Sequence, residues 1–212
     1  MRTFFTYVAT LSAAFLFTTQ GADPVFSGPQ PGERTTGFKV AAIPSGSERD
    51  PIAENKGKPV VIVFLHALER SLVPLLRVVD QYAAGRSNEL QAEVVFLADD
   101  RISGEQRMKA AQNSLKLKAN VGLSVDGAEG PGNYGLNKDC MMTIIVAKGD
   151  RVTDNFALVQ PGIADAPKVL AALAKVSGDA NPPTAETLLA RGGGDGMRRR
   201  EMRAEASETN VS

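Results

Sequence analysis

The sequence predicts one α/β domain, a mixed sheet with helices on both faces, behind an export leader. Three observations carry this reading. Residues 60–65, 94–98 and 143–147 are unbroken apolar runs rich in β-branched residues. Such runs suit strands buried on both faces. After the first run, Leu72, Leu75, Leu76, Val79 and Tyr82 recur at the spacing of an amphipathic helix. After the third run, Lys148-Gly149-Asp150 reads as a hairpin turn, with residues 152–158 pairing back.

The elements follow in order. Residues 1–21 have the layout of a signal peptide: Arg2, then an apolar stretch from Phe4 to Phe17, then Thr19-Gln20-Gly21 before Ala22. The apolar stretch is short for a membrane span, which needs about 20 residues. An uncleaved anchor is the alternative. No Cys follows it, so a bacterial lipid anchor is not expected. No later segment is apolar enough to span a membrane, so no stable membrane insertion is expected after cleavage.

Residues 22–37 carry Pro24, Gly28, Pro29, Pro31 and Gly32 and read as a linker. Residues 38–43 alternate weakly, as a short strand does, and 44–58 read as loop. The first buried strand and its helix follow, the helix ending near Gly85 with Pro74 in its first turns, where a missing N–H is tolerated. After the second strand, Ser103 with Gln106 forms a capping-box pair for a helix to about Leu117. Residues 123–125 read as a short extended piece, and 127–135, rich in Gly and carrying Pro131, as loop or a single turn. Asp165 caps a last helix with Pro167 in its first turn and Val169, Leu170, Leu173 and Val176 on its buried face. Residues 178–212 read as a disordered tail, with Pro182-Pro183, Gly192-Gly193-Gly194 and a charged end. Its basic run Arg198-Arg199-Arg200 is followed directly by acids and reads as solvated, with contact to an anionic surface as the alternative.

Composition excludes several function classes. The 24 Lys and Arg balance 24 Asp and Glu, so no global pull toward nucleic acid or acidic membranes is expected. The single Cys allows no intrachain disulfide, and one Cys with one His cannot build a structural zinc site. No cofactor or metal is expected. Gly130-Pro131-Gly132 lacks the ending of a phosphate loop.

From residue 60 the order is β-α-β-α-β-β-α. With its motifs, that order resembles the thioredoxin-like superfamily in its redoxin and thiol-disulfide branch. Gly57-Lys58-Pro59-Val60-Val61-Ile62-Val63-Phe64 is similar to the family's first core strand. Tyr134-Gly135-Leu136, then residues 143–146 and Lys148-Gly149-Asp150-Arg151-Val152, resemble its second half. The resemblance covers roughly residues 38–177 and implies a three-layer thioredoxin-like fold.

The departures matter most. The family places Cys-x-x-Cys after the first core strand, where the helix N-terminus favours a thiolate. Here that stretch reads His66-Ala67-Leu68-Glu69-Arg70-Ser71-Leu72. Aligned on the strand, Glu69 and Leu72 replace the cysteines; aligned on Pro74, His66 and Glu69 do. Neither register supplies a thiol. The family's cis-proline before the third strand is replaced by Met141, after Asp139-Cys140. A cis bond there costs roughly 2.5–4 kcal/mol, so trans is expected.

The candidate residues follow from this comparison. Cys140 faces the lost active site and reads either as a buried structural thiol or as a lone exposed thiol able to form a mixed disulfide. Glu69 and Arg70 read as residues at a helix N-terminus, which favours the carboxylate and leaves Arg70 able to hold a small anion. His66, at the strand end, is either a hydrogen-bonded structural residue or a base or ligand acting with Glu69 or Cys140. Asp99, Asp100, Asp126, Glu129 and Asp139 read as solvated loop acids. By resemblance, Glu69, Arg70, Asp139 and Met141 border the groove that recognises extended chains in active relatives. The expectation is an exported, periplasmic or extracellular, redox-inactive domain that binds a protein or peptide. The rival is a thiol-dependent protein using Cys140, or an enzyme with a site remodelled around His66 and Glu69.

Overall fold

The computed structural model describes residues 25–191, so the leader at 1–21 and the part of the tail beyond residue 191 lie outside it. Its centre is β3 (Val60–Leu65), buried along its whole length. β3 pairs in parallel with β4 (Gln91–Phe96) on one side and antiparallel with β6 (Met142–Lys148) on the other. β5 (Asn120–Ser124) continues the parallel part next to β4. β7 (Arg151–Leu158) returns from β6. β1 (Val40–Ala42) and β2 (Glu48–Arg49) complete the other edge, giving the order β2-β1-β5-β4-β3-β6-β7. The β6–β7 turn uses Gly149 at φ 59° and Asp150 at φ 61°, the left-handed pair that matches the strand twist.

Side chains of β3 alternate between two cores. Val61, Val63 and Leu65 face α2 (Val73–Ala84), α3 (Arg101–Leu115) and α4 (Ala166–Ser177). Val60, Ile62 and Phe64 face the other layer. There Tyr134 packs edge to face on Phe38 and Phe64, whose own rings are tilted to each other, all at centroid distances of 5.1–5.5 Å. The Tyr134 hydroxyl donates to the Thr36 carbonyl at 2.9 Å, and burial pushes its pKa up. The short helix α1 (Pro51–Asn55) also lies on this side, where Ile52 packs against the second core. Helices thus lie on both faces, as expected, with the three long ones on one face.

Several local expectations need correction. Residues 25–37 are no free linker: Gly32, Glu33 and Thr35 exchange backbone hydrogen bonds with Asp150 and Val152, forming a strap along β7. A Pro/Gly-rich stretch shows no periodicity, so its docking was invisible to pattern reading. The predicted loop 44–58 holds β2 and α1, because Asp50 accepts from the Ile52 and Ala53 N–H groups and starts a helical turn. α3 begins at Arg101 rather than Ser103, since Asp100 caps it through Ile102 and Ser103. Asp165 precedes α4 but spends its side chain on the Gly162 N–H. The tail is structured at least to residue 191: residues 185–191 are helical, and Leu188 is buried in the main core.

One polar link ties the layers. Asp80 of α2 is buried, and its Oδ1 accepts from the Lys118 and Ala119 N–H groups, each at 2.8 Å. Burial raises its pKa, opposed by those two bonds and by Lys118 and Arg77. Asp80→Ala leaves two amides without this acceptor and is expected to cost about 2–4 kcal/mol in a urea melt. The folded protein holds this proton more tightly than the unfolded chain. Stability is therefore expected to fall as pH rises from 3.8 through the raised value, and Asp80→Asn to flatten that slope.

Candidate functional site

Parallel β3, β4 and β5 all finish at one end of the sheet, where Leu65, Phe96 and Leu123 stand side by side. Met142 opens β6 and Leu158 closes β7 at that same end. The loops there bring together residues far apart in sequence, including every candidate named from the sequence.

The stretch that the resemblance aligns with a Cys-x-x-Cys pair lies in the loop 66–72 between β3 and α2. Both alignment registers fall within it. Glu69 and Arg70 are exposed in this loop, and α2 starts only at Val73 with Leu72 as its N-cap. They do not stand at a helix N-terminus, which corrects the dipole argument for Glu69 and the anion argument for Arg70. Val73-Pro74 accounts for the late start: proline restricts the residue before it and is best tolerated in a first helical turn.

His66 fastens this loop to the segment before β6. Its N–H donates to the Met141 carbonyl at 3.1 Å, and its Nδ1 lies 2.8 Å from the Cys140 carbonyl oxygen. A carbonyl only accepts, so Nδ1 carries a proton and donates this bond. Nε2 is buried without a hydrogen-bond partner among the described residues. His66 and Glu69 are not joined by a hydrogen bond; His66 instead borders a cleft of about 400 Å³ that includes Asp99, Asp100, Ser103, Arg107 and Lys138. Gly104 lets α3 close this cleft tightly, since a Cβ there would meet the Ala98 Cβ at 2.7 Å.

Cys140 is completely buried. Burial pushes its thiol pKa up, Ser27 opposes this with a hydrogen bond, and Asp139 adds to it. Ser27 is the residue that the sequence concealed. Its Oγ pairs with the Thr143 Oγ1 at 2.6 Å and accepts from the Asn137 N–H at 3.0 Å, so the strap closes the space behind Cys140. Asp139 is exposed and Met141 half-buried at the same sheet end. The Cys140–Met141 peptide is trans, and Ile43–Pro44 is the cis bond among the described residues. No three His, Cys, Asp or Glu side chains among the described residues gather closely enough to hold a metal.

The geometry matches known structures of one kind. A candidate protein disulfide isomerase from Bacteroides thetaiotaomicron is similar at a TM-score of 0.56 and 12% identity, over 72% of this chain and 94% of that one. A thioredoxin-like protein from Porphyromonas gingivalis is similar at 0.53 and 15%, over 72% and 97%. An exposed lipoprotein thioredoxin from Streptococcus pneumoniae is similar at 0.51 and 17%, over 66% and 99%. The chain has a thioredoxin-like fold. No protein-family profile matches the sequence, and no curated protein matches it.

In this thioredoxin-like domain Cys140 is expected to resist alkylation while folded and to label fully once unfolded. The raised thiol pKa keeps the thiolate fraction below that of free cysteine at pH 8. Ser27→Ala removes a buried partner of Thr143 and Asn137. It is expected to cost about 1–3 kcal/mol and to speed native labelling, as read by mass spectrometry.

Proposed function

We propose that this domain is exported and binds a protein or peptide at the sheet end described above, without dithiol chemistry. One observation carries the reading. The exposed large apolar side chains among the described residues are Val25, Phe26, Ile102, Val125, Val159 and Ile163. All six lie at that end. Val125 follows β5, Ile102 opens α3, Val159 and Ile163 follow β7, and Val25-Phe26 lead into Ser27, which is bonded to Thr143. Exposed apolar side chains scattered singly carry no meaning, but their concentration around one set of loops marks an interaction surface. Glu69, Arg70 and Asp139 stand among them and make its polar part, with half-buried Met141 beside them.

The thiol rival is disfavoured by the burial of Cys140, because a mixed disulfide needs access and thiolate character. The acid/base rival loses its pair, since His66 turns to the Cys140 carbonyl and Glu69 points to solvent. Export is supported by the leader pattern at residues 1–21 and by the likeness to an exposed lipoprotein thioredoxin.

The test is a panel of extended apolar peptides titrated against the protein, followed by amide chemical shifts. Shifts are expected in residues 137–142 and 159–163. Val159→Asp and Ile163→Asp are each expected to weaken binding about tenfold, near 1.4 kcal/mol, while stability stays within about 0.5 kcal/mol. Catalysed reduction of a protein disulfide above background, abolished by Cys140→Ser, sinks the reading.

A further inference from the structure

The same sheet end is acidic as well as apolar. Its loops, 66–72, 97–100, 125–141 and 159–165, hold seven Asp and Glu against Arg70 and Lys138, and the first turns of α3 beside them add Glu105, Arg101 and Arg107. Lys138 is already paired with Glu129. A segment that fits this surface is therefore basic with large apolar side chains. The chain contains one outside the described residues: Met197-Arg198-Arg199-Arg200-Glu201-Met202-Arg203.

We propose that residues 197–203 dock on the acidic, apolar sheet end of their own chain and so compete with any outside peptide. This rests on the binding reading above and names the first occupant of that surface. Chain length supports it. The helical stretch 185–191 lies by the C-terminal ends of α2 and α4, where Arg191 borders a groove with Gln81, Arg86, Ser177 and Asp179. That is the opposite end of the molecule. The distance to cover is set by α2, whose 12 residues rise about 18 Å. From residue 191 to Met202 the chain has an extended limit of about 36 Å, twice that distance. Tethering then supplies an effective concentration near the millimolar range, so even a weak intrinsic affinity keeps the segment docked. The acids after residue 203 do not prevent this. Arg198, Arg199 and Arg200 precede them, and Glu69, Asp139 and Asp165 lie in the loops that adjoin the end of β7, where Val159 and Ile163 stand.

The experiment uses the full chain with a nitroxide on Ser207→Cys; the buried Cys140 is left unlabelled. Amide signals of 97–100, 137–142 and 159–163 are expected to broaden, independently of protein concentration. The broadening is expected to be lost in R198E/R199E/R200E and reduced by 0.5 M salt, and the triple variant is expected to bind the apolar peptides more tightly than the unaltered chain. Absent broadening, or broadening that disappears on dilution because a second copy supplies the tail, overturns the proposal. The triple variant also separates the two claims. If it binds peptides at the sheet end no better than the unaltered chain, only the tail proposal falls. If neither protein binds any peptide there, the binding reading falls as well.

Discussion

Everything in this molecule is built against β3, because that strand is buried on both faces and paired on both edges. Its six residues have no solvent to satisfy either backbone or side chains, so every N–H and carbonyl must find a strand partner. β4 and β6 supply these partners, one parallel and one antiparallel. The parallel pairing demands a crossover over one face, which α2 provides, and the antiparallel pairing brings β6 and its leading loop back beside the end of β3. The meeting of the 66–72 and 137–141 loops is thus a consequence of strand pairing.

At that meeting the two loops are held by His66. The loop 66–72 holds no cysteine and the Cys140–Met141 bond is trans, and His66 spans from one loop to the other, its backbone N–H on the Met141 carbonyl and its ring on the Cys140 carbonyl. Each bond contributes about 1 kcal/mol in net terms, but together they hold two loops in register. The strap adds a second clasp through Ser27 and Thr143. A thiol enclosed by these clasps has lost both access and the environment that favours a thiolate. What remains free is the outer surface of the loops, apolar at Phe26, Val159 and Ile163 and acidic at Glu69, Asp99 and Asp139.

Much of the architecture was legible. The three buried strands, the amphipathic faces of α2 and α4 and the Gly149-Asp150 hairpin were each predicted from local pattern, with boundaries off by a few residues. Elements too short for a period escaped: β2 and α1 within 44–58, and the strap, whose bonds run to Asp150 and Val152 more than a hundred residues away. Residues 185–191 escaped because Pro182-Pro183 and the glycines after residue 191 swamped a helix whose reason to exist is one buried leucine, Leu188.

The candidate site divides along the same line. The sequence by itself determined what chemistry is missing, because residue identity decides whether a thiol pair or a prolyl bond can exist at all. It also named the residues, His66, Glu69, Arg70, Asp139, Cys140 and Met141, whose neighbourhood follows from strand order. Only the tertiary structure decided which way each of them faces. Orientation and burial depend on contacts between distant segments, such as Ser27 behind Cys140 and the Cys140 carbonyl beside His66. No local pattern encodes those contacts, since the free energy that selects them comes from closing the whole core at once.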